Sequence, residues 1–207
     1  MNRKFIKDSN LILRKILNSN TNLDILKNFI ESFLKIEVEF IQINKPPIIN
    51  QKRSKEYGIV DMRVKTKENE ELNIGIQIID GDYIQSKMLL YYAKIHSNQV
   101  LYGDNRKISR TITINILDMQ HFTSSQYHKV INIKTNIMNN GILETIEMHL
   151  LELPKFTKNV NEKMSDKELW MGYLKGHEEL INNAKIKNMY IKKLDELLKK
   201  YWSEEKI

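Results

Sequence analysis

The chain has 207 residues, with 33 Lys and Arg against 26 Asp and Glu, a formal charge of +7 and no cysteine. This length suits one domain with at most a small appendage, and 41% apolar residues supply a core that a disordered chain lacks. The absence of cysteine excludes a disulfide scaffold, a thiolate zinc site and a cysteine nucleophile, while the basic excess admits an anionic partner such as DNA without requiring one.

In chain order, the basic start is broken by Lys7, Asp8, Arg14 and Lys15, and no small-residue cleavage site follows, so it does not read as a signal peptide. No stretch approaches the roughly 18 uncharged apolar residues of a membrane span. A cytoplasmic protein with no membrane partner is expected. From Asn22 to Leu34, the residues Leu23, Leu26, Phe29, Ile30, Phe33 and Leu34 recur at helical spacing, with Thr21 or Asn22 as N-cap. Ile36–Ile43 alternates as a strand that Pro46-Pro47 stops.

Two further strands are expected at Tyr57–Thr66 and Leu72–Ile79, joined by a charged turn over 67–71. Leu72, Ile74, Ile76 and Ile78 share one face of the second strand, and Val60, Met62 and Val64 share one face of the first. Burying both rows together puts Asp61 on the same face as Gly75 and Gln77. Helical spacing returns over Tyr83–Leu101, where Ile84, Met88, Tyr91, Tyr92, Ile95 and Gln99 form a stripe, and Gly103 is its stop signal. Thr111–Leu117 is a strand rich in β-branched residues. A hairpin over Lys129–Thr135 and Thr145–Leu153, turning near Asn139-Asn140-Gly141, ends at Pro154. The rest reads as helix from Asp166, with breaks at Gly172 and Gly176. A single last helix over about Glu178–Tyr201 turns Ile186, Tyr190, Leu194, Leu197, Leu198 and Tyr201 inward. The order is α-β-β-β-α-β, then a hairpin and helices.

An Asp on one strand and an acid-x-Lys or acid-x-Gln pair on the next is an economical platform for metal-dependent phosphodiester hydrolysis. Carboxylates hold Mg²⁺, which neutralises phosphate charge and lowers the pKa of its water. Asp61 and Gln77 fit that scheme. Asp61 sits between Val60 and Met62, a costly place for a carboxylate without a partner.

Taken together, the stretches 60–78, 87–104, 112–122 and 148–156, with the amphipathic run 8–37 ahead of them, resemble the PD-(D/E)XK nuclease superfamily. Their wording is similar to its recombination-promoting nuclease (Rpn), transposase-related family. The resemblance implies an α/β (α+β) restriction-endonuclease-like αβββαβ core with a mixed central sheet, an additional hairpin and C-terminal helices. It further implies a nuclease-like domain over 1–160 and a helical extension over 161–207. The implied activity is that of a DNA endonuclease promoting recombination, with Asp61 as metal-binding Asp and Gln77 at the position the family fills with Gln.

The chain departs from the family pattern at Gly75. The family reads N-I-E-I-Q where this chain has Asn73-Ile74-Gly75-Ile76-Gln77, so the second metal carboxylate is missing. An Arg usual just before the L-Y-Y of the next helix is also missing, with Met88 near its place and Lys87 beside it. Hydrolysis is therefore expected to be impaired, and Mg²⁺ is either held weakly by Asp61 or not bound. Rescue would need another carboxylate, with Glu31, Glu56, Asp80 and Asp82 the nearest by sequence. The alternative is a catalytically inactive DNA-binding or partner-binding relative that self-associates or pairs with an active paralogue, with Arg63 and Lys87 as candidate phosphate contacts.

Plainer readings stand beside these. Asp61 can be an ordinary strand residue paired with Arg63 or Lys65. Gly75, which costs roughly 0.5–1 kcal/mol relative to Ala in a strand, can mark a bulge or a close backbone approach. The Tyr91-Tyr92 pair reads as core packing, and the lysines between 185 and 200 as a solvated face. His121, His128 and His149 match no ligand spacing.

Overall fold

The computed structural model describes residues 16–44, 60–79, 81–102, 109–134 and 145–204. Their elements are α1 (Leu23–Leu34), β1 (Val38–Ile43), β2 (Val60–Thr66), β3 (Glu71–Ile79), α2 (Ile84–Tyr102) and β4 (Arg110–Leu117). The hairpin strands β5 (His128–Lys134) and β6 (Thr145–Glu152) follow, then α3 (Asp166–Lys175), α4 (Glu178–Lys187) and α5 (Met189–Glu204). The expected element order holds. Glu56, Asp80, Pro46-Pro47, Gly103 and the Asn139-Asn140-Gly141 turn lie outside the described residues.

The six strands form one mixed sheet in the order β1-β2-β3-β4-β6-β5. β1, β2 and β3 run antiparallel in sequence, β3, β4 and β6 are parallel, and β5 closes antiparallel on β6. The β2–β3 turn is closed by Thr66 N–H to Glu70 O at 2.9 Å, with Asn69 at φ 66°, a left-handed position that asparagine tolerates. The parallel step from β3 to β4 requires a long crossover, and α2 supplies it.

One face of the sheet carries Val60, Met62, Val64, Leu72, Ile74, Ile76, Ile112, Ile114 and Leu151, all buried under α1, α3 and α5. Phe29 of α1 meets Trp170 of α3 edge-on at 5.2 Å, and the Trp170 indole N–H donates to Asn28 Oδ1 at 2.9 Å. Across the other face runs α2, with Ile84, Met88 and Tyr92 packed on Ile79, Leu117, Met148 and Leu150. Such two-sided cover explains why β3 and β4 are buried along nearly their whole length.

Two expectations about the C-terminal part need correction. Gly172 does not break a helix: it lies inside α3, where Leu180 Cβ comes within 3.4 Å of the place a Cβ would take. The glycine lets α4 approach closely. The last helix is also not continuous. Asn188 interrupts it, and its Oδ1 accepts from the N–H groups of Tyr190 and Ile191 at 3.0 Å, capping a new helix. The break swings Ile186 out to 84% exposure, while Leu194 and Leu198 of α5 stay buried. Gly176 ends α3 as expected, at φ 81°.

Candidate functional site

The register pairs Asp61 with Gly75 and Arg63 with Asn73, so these four residues and Gln77 share the face that looks toward α2. α2 lies over β3 and β4 but leaves the corresponding faces of β1 and β2 open. The result is a cleft of about 780 Å³. Asp61, Arg63 and Asn73 form its floor, and Lys94, Asn98 and Gln99 of α2 form one wall.

Asp61 is held from above. The Tyr91 hydroxyl donates to its Oδ1 at 2.6 Å, and the carbonyls of Ile76 and Val60 lie 3.0 and 3.2 Å from the tyrosine's hydroxyl oxygen. A hydroxyl has one proton, and the short, charge-assisted contact to the carboxylate takes it. Lys94 Nζ stands 4.0 Å from the other carboxylate oxygen. Asp61 therefore has partners on α2, not the Arg63 or Lys65 that its own strand offered.

At Gly75 the structure shows what the missing side chain makes room for. A Cβ built there would lie 1.9 Å from Ile95 Cδ1 and 2.9 Å from the Tyr91 hydroxyl oxygen. No pair of atoms tolerates the first distance. What comes close is not backbone but the side chains of α2: Ile95 fills the volume in which a glutamate stem would start.

Gln77 lies on the expected face but does not reach the cleft. It is buried, and its Nε2 donates to Asn115 Oδ1 at 2.5 Å; Asn115 Nδ2 in turn points to His149 O at 3.1 Å and Thr113 Oγ1 at 3.2 Å. The acid and the amide are thus not turned together into one open pocket. Lys87 is exposed on α2 away from the cleft lining, and Met88 is in the core. Of the candidate replacement carboxylates, Glu31 accepts the Val38 N–H at 2.8 Å, and Asp82 is exposed beyond the end of β3.

Sequence reasoning missed Tyr91, Lys94, Ile95 and Asn73. The signal for the first was available: a tyrosine on the sheet-facing stripe of a helix must find a partner for its hydroxyl. Asn73 gave none. It is 3% exposed, it lines the cleft, and its Oδ1 has no hydrogen-bond partner among the described residues.

A second polar cluster lies on the opposite face. His128 Nε2 meets His149 Nδ1 at 2.9 Å, His149 Nε2 meets Glu147 Oε1 at 2.9 Å, and Glu147 Oε2 accepts from Arg110 at 2.5 Å. Burial, helped by His149 and by Lys167 and Lys35, pushes His128 down to about 4. The hydrogen bond from His149 and the Arg110 guanidinium hold Glu147 down to about 2 against burial. His128 and His149 thus come together as the sequence did not foresee, in a chain of matched donors and acceptors.

A mixed sheet whose first three strands run antiparallel, with an acidic residue on the second and a crossover helix packed over the parallel β3–β4 step, is the architecture of a restriction-endonuclease-like α+β core. The model of the PD-(D/E)XK nuclease family transposases matches residues 10–207, and the chain belongs to that family. Neither curated proteins nor solved structures gave a match.

The divalent metal usual for such nucleases does not fit the residues present. Among the described residues Asp61 is the only carboxylate on the cleft floor, and it is already engaged by Tyr91 and Lys94. Among the described residues, no three His, Asp or Glu gather to hold an ion. Mg²⁺ binds through one or two carboxylates plus substrate phosphates, and an ammonium beside the sole carboxylate competes for the same charge.

Proposed function

We propose that the chain is a DNA-binding member of this nuclease family that holds the phosphodiester backbone in its cleft without hydrolysing it. The observation that carries this reading is Ile95 in the volume of the missing Gly75 side chain, with a single, already paired carboxylate on the floor among the described residues. Arg63 and Lys94 supply two cationic contacts for phosphate, and the charge of +7 favours encounter with DNA. Exposed Leu89 and Leu90 on the outer side of α2 favour a second reading, attachment to a protein partner such as an active paralogue.

The test combines binding and turnover. A labelled duplex should bind at 50 mM salt and lose roughly ten-fold in affinity by 200 mM, the fall expected for about two neutralised phosphates. Plasmid should stay intact with Mg²⁺ or Mn²⁺. Cleavage that Asp61→Ala abolishes would overturn the proposal, and absence of binding at 50 mM would leave only the partner-binding reading.

A further inference from the structure

The open side of the cleft carries features that phosphate binding does not use. β1 pairs Phe40 with Lys65 and Gln42 with Arg63, which places Phe40 and Gln42 on the same face as Asp61 and Arg63. Phe40 is 59% exposed and lines the cleft. A large aromatic ring on an uncovered sheet face, with cationic side chains beside it, is the arrangement on which unpaired bases stack. Opposite the ring, α2 contributes Asn98 and Lys94.

Asn73 also lines the floor, but its side-chain oxygen is sealed from solvent and is not offered to a ligand. The cleft, about 780 Å³, holds a nucleotide with room to spare.

We infer that this cleft receives an unpaired nucleotide of single-stranded DNA, with the base stacked on Phe40, while Arg63 and Lys94 meet the flanking phosphates. A base in an intact duplex presents no face for stacking, so the site distinguishes single strands from duplex. This inference rests on the reading of the chain as a DNA-binding protein and adds what part of DNA it takes.

The experiment measures affinity for a 12-nucleotide single strand, for the same strand carrying central abasic sites, and for the 12-base-pair duplex. Because Phe40 is exposed, Phe40→Ala leaves the fold intact, and Phe40→Trp preserves a stacking surface. The intact strand should bind at least about five-fold tighter than the abasic one, as expected for one base stacked on an aromatic ring. Phe40→Ala should remove that advantage without changing duplex binding, and Phe40→Trp should keep it. Equal binding of intact and abasic strands would overturn the inference while the DNA-binding function stands. Failure of all three probes to bind would overturn both. A Phe40→Ala loss shared equally by the duplex would mean that the ring serves the backbone, and would also overturn it.

Discussion

The two polar clusters on opposite faces of the sheet are built to different standards. From Arg110 through Glu147 and His149 to His128, each charged or polar group meets a partner of the right kind, and the chain ends against the Phe33 ring at 5.7 Å. The Asp61 cleft has a carboxylate shared between a tyrosine and a lysine, and an Asn amide oxygen with no partner among the described residues. A buried polar network that closes on itself fixes a fold, whereas one left open is waiting for something. The contrast assigns structure to the first cluster; the second is the one that the proposed function uses for binding.

The largest expected effect bears on the crowding at Gly75. Gly75→Glu should cost about 1–3 kcal/mol, because Ile95 Cδ1 must rotate out of the Cβ position and the carboxylate enters a helix–sheet contact. Thermal melting should show most of that loss returning in Gly75→Glu combined with Ile95→Ala. A single variant melting at the wild-type temperature would show that the gap is not filled as described. The single variant is consequently a poor test of restored nuclease activity, and the double variant is the appropriate one.

Acid should attack the closed cluster next. His128 is held neutral, so the unfolded chain takes up a proton that the folded chain refuses. Stability is complete above about pH 6.5 and falls as the pH drops toward about 4. Glu147 adds a second loss from about 4.5 down to about 2, since its ionised form is the one the fold favours. Allowing for partial exposure of the ring, the His128 share is about 1–2 kcal/mol. Urea melts at pH 7 and 4 should show His128→Phe losing less stability than the wild type between the two. Equal losses would assign the acid sensitivity elsewhere.

The smallest effect separates the clusters most finely. Tyr91→Phe removes the proton donated to Asp61 and should cost about 1–2 kcal/mol. In addition it frees the carboxylate, so titration calorimetry with Mn²⁺ should detect more binding to this variant than to the wild type. No difference in either quantity would mean that Tyr91 is only a packed ring.

Much of the platform was legible because strands alternate with period two. The apolar rows of 60–64 and 72–78 fix which face Asp61, Gly75 and Gln77 share, and the observed register agrees. What these side chains touch was not legible. Asn115 reaches Gln77 through the parallel register of β3 and β4, which no local pattern encodes, and the height of α2 above Gly75 depends on the whole interface. Asn188 was hidden for another reason. Apolar spacing runs through it without a gap, and only its side chain, which caps α5 and donates to Asn28 and Asp166, reveals the interruption.

The way Ile95 seats itself against Gly75 also bears on how this lineage can change. Under the proposed reading, regaining an acidic side chain on β3 takes two coordinated substitutions. Glutamate arriving first is squeezed out by the isoleucine, and trimming the isoleucine first leaves a void in the helix–sheet contact. The glycine on β3 and the isoleucine on α2 therefore form a coupled pair, in which either change is better tolerated alongside the other than alone.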